Sequence, residues 1–214
     1  MNSSLILIGG GGHCKSVLDS LLKSEKYSKI GIVDKKINVG KCILNIPIIG
    51  SDDDLYELHR NGYNYAFITI GSVGDPSLRI KLFNTAEKIG FKIPNIIDST
   101  AVVSKYVNLG TGIYIGKNTV VNVGTSIGKG VIINTSSVIE HDCVLGNFTH
   151  IAPGAVLCGE VRVAENTHIG ANSVVKQQLK IGSNTIIGIG SVVVHNLDDN
   201  ILAYGNPCEE VCSK

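Results

Sequence analysis

From Ile97 to Val193 the chain carries Leu, Ile or Val at every sixth position without a slip, seventeen times in succession. With aliphatics at roughly a third of all positions, such a run has a chance probability on the order of one in a hundred million, so the period is physical. Four residues after many of these aliphatics stands something small, as at Thr119, Thr125, Ser137, Thr149, Ala155, Thr167 and Ser173. The residue just after them is often Gly or Asn, as at Gly110, Gly116, Asn122, Gly128 and Gly146, types that accept a left-handed backbone and so predict a turn in every hexad. A chain that turns every six residues and buries the same aliphatic each time winds a solenoid whose coils hydrogen-bond to one another.

The pattern before Pro94 is different. Leu5 to Ile8 is a short apolar run ending in Gly9-Gly10-Gly11-Gly12, after which Val17, Leu18, Leu21 and Leu22 recur at helical spacing: strand, glycine loop, helix. Ile30 to Val33 predicts a second strand closed by Asp34. Ile48-Ile49-Gly50 leads to Ser51, an N-cap for a helix reaching Arg60 with Asp52, Asp53 and Asp54 at its positive end. Tyr65 to Ile70 predicts another strand, and Asp75 with Pro76 opens a helix that runs to Ile89 and stops at Gly90. Alternating strands and helices predict a parallel sheet. Two domains follow: an α/β domain over residues 1–94 and the solenoid with a short tail over 95–214.

Composition narrows the function. Nineteen Lys and Arg against eighteen Asp and Glu, with no basic run, remove the electrostatic case for nucleic acid. The N-terminus from Met1 has neither the length nor the flanks of a signal peptide, and no stretch approaches a membrane span, so a cytoplasmic protein is expected. Six cysteines without a CxxC pair suggest neither a zinc site nor a disulfide framework; no metal is expected.

With these hexads the second half resembles the hexapeptide-repeat acyltransferases, whose left-handed parallel β-helix has three six-residue faces, or eighteen residues, per coil. The resemblance implies five to six coils, association in threes, and acyl-CoA bound in the grooves between prisms. Residues eighteen apart then stack at about one strand spacing, roughly 4.8 Å. His150 and His168 are such a pair; each precedes an inward aliphatic, so both should point out of the prism and line a groove wall. His141, at a turn, stacks on Gly159. Acetyl transfer needs a group to take the proton from the attacking amine or hydroxyl and a donor to stabilise the oxyanion. A histidine near neutrality beside an open backbone amide suits both needs. Glu140 and Asp142 flank His141, and spacing alone does not choose its partner.

The glycine loop lets backbone amides approach a phosphate at a helix N-terminus. It is not the dinucleotide fingerprint, because Cys14 stands where the third glycine belongs, so a nicotinamide enzyme is disfavoured. Asp34 ends the second strand, where Rossmann-like sheets meet a ribose or base, and His13 follows the loop. A glycine turn needed only for close helix packing is the alternative.

Taken together, Gly9 to His13, Asp34 with Lys35, the unbroken hexads and Glu140-His141-Asp142 make nearly the whole chain resemble the bacterial NeuD/PglD-like sugar acyltransferases. These include UDP-4-amino-sugar and GDP-perosamine N-acetyltransferases and sialic acid O-acetyltransferases. The resemblance implies an acetyl-CoA-dependent N-acetyltransferase acting on the amino group of a UDP- or GDP-linked 4-amino sugar. It implies His141 as general base, Asp142 as its partner and the Gly159 amide as oxyanion donor. His150 would touch the acetyl end of acetyl-CoA, and Ala171 and Ile189 would line the CoA groove of a homotrimer. Gly11, Gly12, His13, Asp34 and Lys35 would hold the nucleotide sugar. The tail Gly205-Asn206-Pro207-Cys208-Glu209 departs from the family's Gly-x-Pro-Ala-Lys. O-acetylation of sialic acid or a related nonulosonic acid, and a non-catalytic trimeric scaffold that binds a nucleotide sugar, are the competing readings.

Overall fold

The computed structural model describes residues 3–24 and 26–213. Met1 and Asn2, which open the stretch read above for a secretion signal, lie outside them. The chain forms two compact units, Met1–Ser72 with Ser77–Ile96 and Val73–Pro76 with Ile97–Lys214.

In the first unit the order is β1 (Ser4–Ile8), α1 (Gly12–Leu22), β2 (Lys29–Val33), β3 (Cys42–Ile43), β4 (Ile46–Gly50), α2 (Leu55–Arg60), β5 (Tyr65–Ile68) and α3 (Ser77–Ile89). The sheet runs β3-β4-β2-β1-β5, parallel except where β3 returns antiparallel to β4. All five residues of β1 are buried, as a strand in the middle of a sheet covered on both faces requires. The expected strand to Ile70 ends at Ile68, and the Thr69 hydroxyl donates instead to the carbonyls of Ile8 and Gly9 at 3.0 and 2.6 Å. Ser51 caps as expected: the Asp54 carboxylate accepts from both its N–H and its hydroxyl, at 2.7 and 3.0 Å. That turn is 3₁₀ over Asp52–Asp54 before α2 begins. The β3–β4 hairpin has no counterpart in the sequence reading. Its turn residues Leu44 and Asn45 both have positive φ, 46° and 66°, the geometry that matches strand twist in a two-residue hairpin.

The second unit is a left-handed parallel β-helix. Two-residue strands recur every six residues from Val102–Val103 to Val192–Val193, and each as far as Val174–Val175 pairs with the strand eighteen residues on. The hexad aliphatics fill the interior and are essentially fully buried from Ile115 to Val193. Ile97 and Leu109 are exposed, because a first coil has a neighbouring coil on one side only. The small residues four places on are buried, and their hydroxyls bond to the next coil at a fixed offset: Thr125 to the Glu140 carbonyl at 3.1 Å, Ser137 to Ala152 at 3.0 Å, Ser173 to Gly188 at 2.8 Å. Beyond Val193 the offset shortens. Leu197 bridges to Ile181 and Ala203 pairs with Ile187, and an antiparallel hairpin, Ile201–Gly205 with Cys208–Ser213, ends the solenoid.

One expectation about the turns is corrected. The left-handed residues stand three places after each aliphatic, at Asn118, Ser136, Asp142, Phe148, Glu160, Asn172 and Gln178, and not directly after it. The glycines directly after it serve close approach between coils. A Cβ on Gly146 would lie 2.5 Å from the Glu165 nitrogen, and one on Gly110 would lie 2.9 Å from the Gly128 carbonyl carbon.

Candidate active site

The His141 corner joins the strand Val138–Ile139 to the strand Val144–Leu145. Asp142 takes the left-handed conformation there, φ 59°, which Asp tolerates better than most residues. Its N–H donates to the Val123 carbonyl of the preceding coil at 2.9 Å, and its Oδ2 lies 2.9 Å from Nδ1 of His141. Asp142 is therefore the ring's partner. Glu140 instead accepts from the His141 backbone N–H at 3.3 Å. Both members of the pair face solvent, with side chains 51% and 60% exposed. The hydrogen bond to Asp142 raises the His141 pKa above the ordinary histidine value; desolvation opposes it, and the charges of Asp142, Glu140 and Glu160 add to it.

With Nδ1 directed at Asp142, Nε2 is directed at Gly159. A Cβ built on Gly159 would lie 2.6 Å from Nε2 and 2.7 Å from Cε1, so only glycine leaves the ring where it stands. The Glu160 N–H ties this corner to the His141 carbonyl at 2.9 Å. Among the described residues no backbone carbonyl accepts the Gly159 N–H. An imidazole and a backbone N–H with no carbonyl acceptor among the described residues are thus stacked one coil apart.

His150 and His168 stack in register, ring centroids 4.8 Å apart and edge to face, with the Asn134 amide nitrogen 3.4 Å from His150 Nε2. They lie outside the aliphatic core as expected, but they are not an open groove wall. They are only 8% and 7% exposed, and Tyr114, Ile132 and Ile186 continue the same outer ladder. Within one chain they stand on a different face from the His141 corner. Ala171 and Ile189 stack at yet another corner, where the Gly190 N–H donates to the Ala171 carbonyl at 2.8 Å and Ile189 is 81% exposed. That corner and the His141 corner bound the two edges of one face, whose outward ladder is Val102, Val120, Val138, Val156, Val174 and Val192. A cleft of about 650 Å³ runs along the next face past Val144, Arg162 and Lys180, and His141, Asp142, Gly159, His150, Ala171 and Ile189 do not line it.

In the first unit the glycine loop divides by role. Gly9 has φ +108°, and a Cβ on Gly10 would lie 2.5 Å from Asp34 Oδ2, so these two are required by packing. Gly11 and Gly12 face open space, at the N-terminus of the eleven-residue α1. Asp34 is braced by the Lys35 N–H at 2.7 Å and the Asn38 amide at 3.1 Å. It stands between two cavities. One of about 300 Å³ includes Gly9, Lys35, Ser51 and Asp52; the other, of about 470 Å³, includes Gly10, Lys15, Asn38, Lys41 and Leu44. Lys15 and Lys41 give the larger one two cations beside the Asp34 carboxylate.

Burial, with the nearby Arg79 guanidinium adding to it, lowers the His13 pKa to about 4, so its imidazole is neutral and offers hydrogen bonds without charge. Arg79 itself is 3% exposed, and burial lowers its pKa to about 10, which leaves it charged. Sequence reading missed it, although its place three residues before buried Leu82 put a cation on the apolar stripe of α3. Among the described residues no three His, Cys, Asp or Glu side chains group as a metal site, and no helix is long and apolar enough to cross a membrane.

A parallel β-helix of hexads with a histidine–carboxylate pair over a bare backbone amide defines the class: a hexapeptide-repeat acyltransferase. The bacterial transferase hexapeptide family matches residues 124–159 and 142–177, and the PglD N-terminal domain family matches residues 4–86. The chain is 36% identical to a histidine-to-asparagine variant of perosamine N-acetyltransferase from Caulobacter crescentus, solved with CoA and GDP-perosamine. That match covers 100% of this chain and 99% of that one, with a TM-score of 0.93. The acetyltransferase domain of PglB from Neisseria gonorrhoeae, solved with acetyl coenzyme A, is 31% identical over 99% of this chain and 100% of that one, TM-score 0.92. WeeI from Acinetobacter baumannii shares the fold at 24% identity, TM-score 0.86, covering 98% and 100%. No curated protein sequence matches significantly. The chain belongs to the NeuD/PglD-like family of sugar acyltransferases, and it is an acyltransferase.

Proposed function

We propose that the protein transfers the acetyl group of acetyl-CoA to the amino group of a nucleotide-linked 4-amino sugar, with His141 as general base. The observation that carries this reading is the His141–Asp142 pair at 2.9 Å with Nε2 over Gly159. The Caulobacter relative solved with CoA and GDP-perosamine, and the Neisseria domain solved with acetyl coenzyme A, support the choice of donor and acceptor.

In this reading Asp142 holds Nδ1–H and leaves Nε2 to accept. As the amine nitrogen attacks the thioester carbonyl, Nε2 takes its proton, and the carbonyl oxygen becomes an oxyanion that receives the Gly159 N–H. Collapse breaks the carbon–sulfur bond, and the departing thiolate takes the proton from the imidazolium. No covalent enzyme intermediate is needed. Gly11, Gly12 and His13 hold the diphosphate through helix amides and a neutral imidazole, and Asp34 with Lys35 contacts the nucleoside. His150 lies near the acetyl end of the donor.

Ala171 and Ile189 lie across the valine face from His141, so a CoA groove that uses both corners draws them from two chains. A homotrimer supplies three such grooves. Sedimentation equilibrium is expected to give three times the 22.7 kDa chain mass, and a monomer would remove this arrangement.

The acceptor is tested by thiol release from acetyl-CoA against UDP- and GDP-linked 4-amino sugars, free sialic acid and its CMP derivative. Release with an amino sugar is expected and identifies the nucleotide; release with sialic acid alone would move the enzyme to O-acetylation.

A further inference from the structure

We propose that Gly124, one coil before Asp142 in the same corner column, is a positioning residue for the His141–Asp142 pair: the space left by its missing side chain is where the Asp142 carboxylate sits. The inference rests on the reading of His141 as base. Gly124 has φ +76°, and a Cβ there would collide with Oδ1 of Asp142 while lying 3.2 Å from its Cγ and 3.6 Å from its Cα. The backbone of residue 142 has no room to lift away, because its N–H is pinned to the Val123 carbonyl at 2.9 Å. The carboxylate is the part that yields, and its other oxygen is the one paired with His141 Nδ1.

The rest of the column shows what the corner otherwise accepts. Glu160 and Gln178 stack side chain on side chain, with the Gln178 amide donating to the Glu160 carboxylate at 3.2 Å. The column therefore has no general need for glycine; within it glycine stands under Asp142, as Gly154 stands under Asn172 at another corner, and here the side chain it makes room for is the one paired with the histidine.

The test compares wild type with Gly124→Ala, Gly124→Asn, Asp142→Asn and the Gly124→Ala/Asp142→Asn double variant, reading kcat, KM and their pH dependence. Asn accepts the left-handed backbone, so Gly124→Asn carries the test if the Ala variant fails to fold. Gly130→Ala is the strain control. Gly130 also has a positive φ, +65°, and its Cβ would meet the Phe148 ring at 2.5 Å, away from the His141 corner.

Displacing the carboxylate is expected to lower kcat about tenfold or more with little change in KM for acetyl-CoA. It should also move the acidic limb of the kcat profile to lower pH, because His141 loses the hydrogen bond that raises its pKa. The double variant should lose no more than Asp142→Asn alone. Wild-type kcat and profile in both folded Gly124 variants, multiplied losses in the double variant, or the same pH shift from Gly130→Ala would overturn the proposal. His141→Asn measured alongside separates the two failures. If it is impaired while the Gly124 variants are not, the positioning role alone falls; if it is fully active, the base reading falls and takes the positioning role with it.

Discussion

Replacing His141 by Asn is expected to lower turnover by roughly 10²- to 10⁴-fold while leaving acetyl-CoA affinity close to wild type. Asn keeps the polarity and much of the volume of the ring but has no atom that can take a proton near neutral pH. The ring is half exposed at a corner and outside the aliphatic core, so its removal opens no cavity, and the melting temperature should barely move. Rate loss without affinity loss is the signature of an interaction made in the transition state and not in the ground state. The pH profile gives a second reading of the same group. The Asp142 hydrogen bond raises the folded pKa, so below it the imidazole is protonated and unable to act as base, and above it the base is free. Wild-type kcat should therefore rise through a value above an ordinary histidine's, and this acidic limb should be absent from the residual activity of His141→Asn. An unchanged rate would mean that the amine arrives already deprotonated and that the site works by orientation alone.

The parts of this site that were legible in the sequence are those set by period. Six residues per face and eighteen per coil convert numbering into distance, so His141 over Gly159 and His150 beside His168 follow from subtraction. The partner of His141 does not follow. Glu140 and Asp142 are equally near along the chain, and it is the left-handed backbone at Asp142 that brings its carboxylate to Nδ1. That conformation was hidden because the left-handed place in each hexad holds residues as unlike as Asn118, Asp142, Phe148 and Gln178. Coil-to-coil hydrogen bonds outweigh the cost of placing non-glycine residues there, about 1–2 kcal/mol each, so no single residue type marks the position.

Burial was the other blind spot. Alternation gives the direction of His150 and His168 but not what fills the space around them. The same limit hid the β3–β4 hairpin, whose turn carries Leu44 where Asn or Gly would have signalled it. It bears on function, since Leu44 and Ile43 form one wall of the cavity beside Asp34.

Gly159→Ala is expected to reduce kcat by about 10²-fold while leaving the protein as stable as wild type to within about 1 kcal/mol. Gly159 is not among the residues with positive φ, so alanine is compatible with its backbone and even restricts the unfolded chain. The three atoms nearest the added methyl all belong to His141: Nε2 at 2.6 Å, Cε1 at 2.7 Å and Cδ2 at 3.3 Å. A half-exposed ring can swing into solvent, so the conflict is relieved by moving the imidazole, which gives up its 2.9 Å bond to Asp142 and its place over the amide. The Gly159 N–H itself remains. Loss of rate in a variant that keeps the donor, the base and the fold would isolate their mutual placement as the quantity that matters. Calorimetry and kinetics on the same preparation decide it. Full activity with unchanged stability would mean that the imidazole does not stand over Gly159 when the amine attacks.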